Sequence, residues 1–419
     1  MIRKEYVIGL IFIFLFLLRF FNLKWFPSGT VVYVAFFAIV LFMADFFAKG
    51  RYSKLILFYF VFLTASSVYS NIFNEQNLLT TIILSFYLYG VASYFVLKRL
   101  NLSLKETENV LIGLSLCFCL CYILQWLVYP TIIFSNAEHH TREDMYRSRM
   151  PGSILCYFFF FYGINKYLLE RKWIYTVYSL LSFIPIIIQG FRSLIALTVL
   201  SAFLIIPFVL RSGKKTIVYS ILGAVVSVAA ISTPLVQSKI EEMNRRQEGD
   251  QTFDNSEYIR WIAFDYYWNL YYTKPYEKIL GGGNPVDRSS KYTQHIKKLN
   301  TEGRGHLWLE DLGIVGLSLM IGIISVSFLG LIYLLCIYKC MDPRLQCIRF
   351  TLFTVLIGSI FTTMELYRPG NLLILPLLLY YEEKFNNTHQ LIEALKSNGK
   401  QNKSQRLQRV YGLRKHLRQ

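Results

Sequence analysis

Hydrophobic positions along this chain fall in long unbroken runs rather than in stripes. From Glu5 almost to Glu382, apolar stretches of 17 or more residues recur between short polar breaks. A membrane-spanning helix needs about 20 mainly apolar residues. The runs predict about twelve such helices, near 5–22, 27–48, 54–70, 77–97, 108–130, 152–168, 172–189, 191–210, 215–235, 306–338, 347–364 and 370–381. Helices are the natural element because lipid offers no partners for free backbone groups. The long spacing also excludes the roughly ten-residue alternation of a membrane barrel. The expected fold is therefore an all-α polytopic membrane protein: helices 1–9 over 1–235, a large extracytoplasmic loop over 236–305, helices 10–12 over 306–381 and a basic tail over 382–419.

Composition agrees with this pattern. Of 419 residues, 54% are hydrophobic, 17% aromatic and only 17% charged, and the mean hydropathy is +0.39. Together these exclude a secreted disulfide scaffold, a nucleic-acid-binding domain and a soluble enzyme. The net charge of +18 has to be read by position instead. The seven cysteines lie within the apolar runs or beside the short loop after Cys340, so no disulfide framework is implied and packing is their expected role. The first run follows Arg3 and Lys4 but has no small-residue cleavage site, which predicts a retained helix rather than a signal peptide.

Charge in the connections alternates. One set holds Lys49, Arg51 and Lys54; Lys98, Arg99 and Lys105; Lys166, Arg171 and Lys172; Arg211, Lys214 and Lys215; then Lys339, Arg344 and Arg349. The other short set holds Lys24, then Arg142, Arg147 and Arg149, then Arg192, then Arg368. The positive-inside rule makes the first set cytoplasmic, together with both termini. The tail after Tyr381 carries nine Lys/Arg against three Glu and is expected to lie on the cytoplasmic side, where anionic lipid would attract it. The segment 236–305 is then external, and a loop of about 70 residues is uncommon unless it has a function.

Few charges fall inside the runs, Arg19 and Asp45 being the clear ones. Proton-coupled transporters usually carry intramembrane carboxylates as relays, so that class is disfavoured. On the outer side, Arg192 sits in the tight turn Gln189-Gly190-Phe191-Arg192-Ser193. A charge there costs desolvation unless an anion meets it, which leaves an interfacial anchor or a ligand-facing arginine. In the long loop, Asp254-Asn255-Ser256 supplies N-cap candidates and Glu257 suits a first turn, predicting a helix that Pro275 ends. Arg260 lies early in it, beside Tyr258, Trp261, Phe264, Tyr266, Tyr267 and Trp268. Amphipathic rings of this kind suit the apolar faces and hydroxyls of sugars. They equally suit a membrane interface.

Gly281-Gly282-Gly283 permits positive φ and close backbone approach, but lacks the Lys-Ser/Thr of a nucleotide P-loop. Beyond it, Arg304-Gly305-His306 leads to Glu310 and Asp311 at the mouth of the tenth run. A histidine and two carboxylates entering the membrane are costly and hence functional candidates, the alternative being a self-satisfied polar cap. Helical spacing puts His306 and Glu310 on one face and Asp311 a little around it. His139-His140, with Glu138, Glu143 and Asp144, lacks ligand spacing and is expected to be a solvated loop, not a metal site. Arg147 and Arg149, before Met150-Pro151-Gly152, border a run on the outer face. No Ser-His-Asp order, zinc-protease motif or dinucleotide fingerprint is present.

Taken in order, these motifs resemble the O-antigen polymerase and O-antigen ligase superfamily of bacterial envelope glycosyltransferases. The likeness rests on Arg-Met-Pro-Gly (149–152), Gly-Phe-Arg-Ser (190–193), Glu-Tyr-Ile-Arg-Trp (257–261), Pro275 followed by Ile-Leu-Gly-Gly-Gly (279–283), and Gly-Ile-Val-Gly (313–316), and covers roughly residues 145–325. It implies a glycosyltransferase C-like enzyme of the bacterial inner membrane whose donor is a glycan on undecaprenyl diphosphate. An acceptor hydroxyl attacks the anomeric carbon and the lipid diphosphate leaves, without nucleotide sugar, metal or other cofactor. Negative charge develops on that leaving group, so fixed arginines are the expected stabilisers. The resemblance gives that role to Arg192 and Arg260 with Arg149 or Arg304 in support, and substrate contact to Trp261, Gly282 and Gly283. His306, Glu310 or Asp311 would orient or deprotonate the acceptor hydroxyl.

In the family's ligases a histidine stands eleven residues before a helix glycine; here His306 stands seven before Gly313, whereas Asp311 stands eleven before Gly322. That spacing, and Asp311-Leu-Gly-Ile-Val-Gly, looks more like a repeat-unit polymerase than a ligase moving glycan to lipid A–core. A lipid-linked glycan flippase or transporter is a third expectation, though it predicts a repeat symmetry that is not evident. Implied partners are the undecaprenyl-diphosphate-linked glycan, membrane lipid, a glycan acceptor and other polysaccharide-assembly proteins, with no nucleic acid.

Overall fold

The computed structural model describes residues 2–18, 29–129, 131, 133–134, 138–142, 145–213, 218, 259–283, 291–301, 309–361, 365–366, 368 and 370–390, several of them by backbone alone. The first half contains α1 (Ile2–Leu17), α2 (Gly29–Met43), α3 (Ser53–Asn74), α4 (Leu78–Leu84), a 3-10 turn (Phe86–Ala92), α5 (Ser93–Leu100) and α6 (Leu104–Leu127). A hairpin of β1 (Glu138–Arg142) and β2 (Met145–Arg149) follows, then α7 (Ile154–Glu170), α8 (Ile174–Gln189) and α9 (Arg192–Leu210). The loop region supplies α10 (Ile259–Asp265), which continues as a π-helical turn (Tyr266–Tyr271), α11 (Pro275–Leu280) and α12 (Lys291–Thr301). After it come a 3-10 turn (Leu309–Leu312), α13 (Gly313–Ile321), α14 (Ile323–Lys339), a 3-10 turn (Pro343–Leu345), α15 (Gln346–Phe361) and a last helix, α16, over 371–390.

The described chain is thus helical apart from one antiparallel hairpin, which pairs Glu138 with Arg149 and Arg142 with Met145. The helices Ser53–Asn74, Leu104–Leu127 and Ser193–Leu210 are long and apolar enough to cross a membrane, and four shorter apolar helices accompany them. This architecture is compatible with a membrane protein. The predicted run 215–235, apart from Val218, and all of 236–258 lie outside the described residues, as does the tail after 390.

Local chemistry accounts for the helix ends. Ser103 and Glu106 form a capping box at the start of α6: Ser103 Oγ accepts from the Glu106 N–H at 3.3 Å, and Glu106 Oε2 accepts from the Ser103 N–H at 2.8 Å. Asn77 caps α4 through Thr80 N–H, 2.9 Å from its Oδ1. Three apolar runs behave differently from their hydropathy. The run 77–97 is broken into α4, the 3-10 turn and α5. The run 306–338 is broken at Gly322, which takes φ +86° between α13 and α14. The last run extends past 381 to 390, taking Glu382 and Glu383 into the fold. The helix expected to end by Pro275 stops at Tyr271, and Pro275 itself starts α11, where its missing N–H costs nothing.

Two helices form the centre. In α7 every residue from Ile154 to Gly163 is buried, and in α16 so is every residue from 371 to 380. Helices apolar all round belong in a core, and small residues let their neighbours approach. Gly163 faces Ser179 and the Tyr175 carbonyl of α8, and Gly90 lies against the backbone of Leu372–Leu373.

The bundle has two polar ends. At the basic end, Glu382 meets the Arg51 guanidinium and the Tyr52 hydroxyl, while Glu383 accepts from Tyr94 and from Lys98 Nζ at 3.2 Å. Nearby, Glu108 accepts from Tyr162 at 2.8 Å and pairs with Lys166 at 3.1 Å. The opposite end, the loop end, carries residues 259–283 and 291–301 and the turns described next.

Candidate functional site at the loop end

Three turns converge at the loop end, each built around a glycine in the left-handed region. The first follows β2: Pro151 leads to Gly152 (φ +97°), and α7 begins two residues later. The second is Gly190 (φ +71°), which closes α8, so that α9 begins at Arg192. The third is Gly370 (φ +89°), which precedes α16. Gly152 and Gly370 face one another so closely that a Cβ on Gly370 would lie 2.8 Å from the Pro151 carbonyl carbon. The sequence mirrors this contact, with Arg149-Met-Pro-Gly on one side and Arg368-Pro-Gly on the other.

A polar cluster lies beneath these turns. Glu365 is fully buried, and its Oε1 stands 2.8 Å from Arg368 Nη1 on a side chain only 12% exposed. Ser153 Oγ donates to Glu365 Oε2 at 3.1 Å. Asn371 Oδ1 accepts the Ile154 N–H at 3.0 Å and so caps α7, while its Nδ2 donates to the Glu365 carbonyl at 2.8 Å. The Arg368 guanidinium lies 5.1 Å from the ring centre of Phe191, the residue before Arg192. These contacts tie together the ends of α7, α8, α9, α15 and α16. A buried ion pair is costly to desolvate and is weak evidence for stability by itself. Here it fixes an arginine beside the start of α9.

That placement has an electrostatic consequence. Helix N-termini carry about half a positive charge, and α7 and α9 both begin here. Arg192 stands in the first turn of α9, where a cation opposes the helix dipole, and Arg149 ends β2 three residues before Gly152. An anion is what such a collection of N–H groups and guanidinium-bearing positions favours.

The loop segment covers this end. Helix α10, carrying Arg260, packs against the 3-10 turn that holds Glu310 and Asp311. Gly313, directly after that turn, lies against the Ser359 carbonyl, and the Ser359 hydroxyl accepts the Leu366 N–H at 2.7 Å. The structure therefore brings the backbone positions of Arg192, Glu310 and Asp311 and the residue Arg260 to the end of the bundle where Arg368 and Glu365 sit. Arg304 and His306 lie outside the described residues, so the expected face shared by His306 and Glu310 does too.

The glycine run has a packing reason. The break at Gly322 leaves the Leu319 and Met320 carbonyls without helical partners, and the N–H groups of Gly282 and Gly283 donate to them at 2.7 and 2.8 Å. Asn74 Nδ2 donates to the Gly282 carbonyl, and a Cβ on Gly281 would meet the backbone of Gly322 and Met320. Gly282 and Gly283 are buried and dock the loop onto α3, α13 and α14, and Gly282 also lines the cavity described below. Trp261 is 67% exposed, edge-on to Phe264. Phe264 stacks on Trp268, over which the Lys278 ammonium sits at 4.6 Å.

The other rings turn inward. Tyr266 Oη lies 2.5 Å from His295 Nε2 with the two rings nearly parallel, and Tyr271 flanks the same imidazole with ring centres 4.5 Å apart. Beside them is a cavity of about 330 Å³ lined by Tyr69, Asn74, Tyr271, Tyr272, Glu277, Gly282, Lys291 and His295. Burial, reinforced by neighbouring Tyr267, holds the Tyr271 hydroxyl well above the ordinary phenol range; burial does the same for Tyr272. Both remain protonated donors at neutral pH. Among the described residues no group of three His, Cys, Asp or Glu side chains is disposed to hold a metal ion.

Sequence reasoning did not single out Glu365, Arg368, Asn371 or Ser153. The available signals were the repeated Arg/Pro-Gly turn and the Glu365–Arg368 spacing in a short connection. The chain matches no protein-family model and no curated protein.

Proposed function

We propose that the protein is a multi-pass enzyme of the bacterial inner membrane, with about twelve spans and both termini cytoplasmic. On the outer face it joins glycan repeat units carried on undecaprenyl diphosphate, acting as a polymerase of O-antigen or a related surface polysaccharide. The observation that carries this reading is the convergence of Arg149-, Arg192- and Arg368-bearing turns and two helix N-termini at one end, beneath a loop helix bearing Arg260. In this reading the acceptor's hydroxyl oxygen bonds to the donor's anomeric carbon as the bond to the lipid diphosphate breaks. The hydroxyl proton passes to Asp311, Glu310 or His306, and the departing diphosphate keeps the bonding electrons. Positive groups fixed before the reaction stabilise that charge with little reorganisation. The chain's own sites would hold the substrates without a metal or a nucleotide sugar. The basic end, with its Lys and Arg connections, supports an orientation in which the loop end faces outward.

Deleting the gene in the source bacterium tests the reading. Surface glycan is run on a gel and the lysate probed for undecaprenyl-linked material. Loss of the long ladder with single repeat units on lipid A–core is the expected result. Long chains stranded on undecaprenyl would identify a ligase instead, and an unchanged pattern would favour a transporter.

A further inference from the structure

The cavity between α3 and the loop segment is chemically unlike the arginine-rich turns. Its charged lining residues, Glu277 and Lys291, balance, and Lys291 already pairs with Glu75 at 2.9 Å. It therefore has no excess positive charge to attract a diphosphate. Its walls combine tyrosine rings with hydroxyl, amide and imidazole groups, as uncharged polyhydroxylated ligands require. The cavity also shares an element with the proposed reaction site. Arg260 and Tyr271 lie on the continuous helix formed by α10 and its π turn, eleven residues apart in sequence. At about 1.5 Å per residue that separates them by roughly 16 Å along the axis. The π turn widens the helix where it meets the cavity, and such distortions are frequent at functional positions. The glycine turn 281–283 and Asn74 hold the opposite wall, so the cavity is formed by docked elements and not by a free loop.

We infer that this cavity is a carbohydrate subsite that binds a neutral sugar of the glycan repeat, away from the diphosphate and the reacting bond. Tyr271 and Tyr69 offer ring faces to the sugar's C–H surface, while Asn74, Glu277, Lys291 and His295 exchange hydrogen bonds with its hydroxyls. The subsite would select which repeat unit is polymerised. It rests on the polymerase reading only for the identity of the glycan, and binding is measured without turnover.

The test uses the full chain in lipid nanodiscs. The probe is lipid-free oligosaccharide released by mild acid from the source cells' surface polysaccharide, with binding followed by saturation-transfer NMR. Wild type is expected to bind it, and maltohexaose at least tenfold more weakly. Tyr271→Ala should weaken binding tenfold or more, and His295→Gln and Lys291→Ala severalfold, while Asp342→Asn at the opposite end leaves it unchanged. If Tyr271→Ala fails to fold, as judged by gel filtration, the exposed position Lys291 and His295→Gln carry the comparison. No binding by wild type, equal binding of maltohexaose, or full binding in the folded cavity variants would overturn the subsite. A lost polysaccharide ladder on gene deletion beside any of those results would leave the polymerase reading standing and remove only the subsite.

Discussion

At the scale of single residues, the buried pair Glu365–Arg368 separates structural from chemical roles. Removing one partner leaves an uncompensated buried charge, which costs about 3–5 kcal/mol. Arg368→Ala should therefore lower the apparent melting temperature in detergent by several degrees. The double variant Glu365→Gln/Arg368→Met should regain most of that stability yet remain without polymerising activity. Recovered activity in the double variant would reduce Arg368 to a packing role. At the basic end, Asp342 accepts from Arg344 Nε and Nη2, each at 2.9 Å, and this pairing holds its carboxyl below the usual aspartate range. A depressed folded-state pKa stabilises above the unfolded value, about 3.9, and the gain fades as pH falls through the lower folded value. Because the pair is partly exposed it is worth about 0.2–1 kcal/mol. Asp342→Asn should cost that much at pH 7, and the gap between the two melting curves should narrow as pH falls below the unfolded value and close once the folded-state carboxyl is protonated.

At the scale of elements, the docking of the loop positions the site. A side chain on Gly281 meets the backbone of Met320 and Gly322 at the break, and both glycines take positive φ. Gly281→Ala and Gly322→Ala should each loosen residues 259–301 and speed limited proteolysis there about tenfold or more, with the helices between 53 and 127 still protected. Unchanged cleavage would contradict the docking role. This scale also shows what the sequence could reveal. The helices α3, α6 and α9 were legible because each is one uninterrupted apolar run with polar ends. The breaks at 85–92 and at Gly322 were not, since hydropathy continues through them and their cause is tertiary. Gly90 yields to the approach of Leu372, and the carbonyls freed at Gly322 find partners in a distant loop. The continuation of α16 past Tyr381 was hidden for a similar reason. Glu382 and Glu383 look like the start of a solvated tail until Arg51, Tyr52, Tyr94 and Lys98 close around them. In the candidate site, Arg192 and Arg260 stood out as charges beside apolar runs. Glu365 and Arg368 did not, because their significance lies in the neighbours that bury them.

At the scale of the whole molecule, the separation of a basic end from a loop end makes orientation testable. Trp261 at the loop end and Trp173 at the basic end are both highly exposed. In intact spheroplasts, Trp261→Cys should react with a membrane-impermeant maleimide and Trp173→Cys should not until the membrane is opened. The reverse pattern would invert the topology and remove the proposed site from the outer face.

The most direct test of the central claim is polymerisation by the purified protein in nanodiscs, supplied only with undecaprenyl-diphosphate-linked repeat units and read as a ladder on a gel. Wild type is expected to give a ladder, and folded Arg192→Ala and the stability-restored Glu365→Gln/Arg368→Met variant to give none, or a rate at least a hundredfold lower. A full ladder from both variants would contradict the claim that the arginines at the loop end stabilise the departing diphosphate.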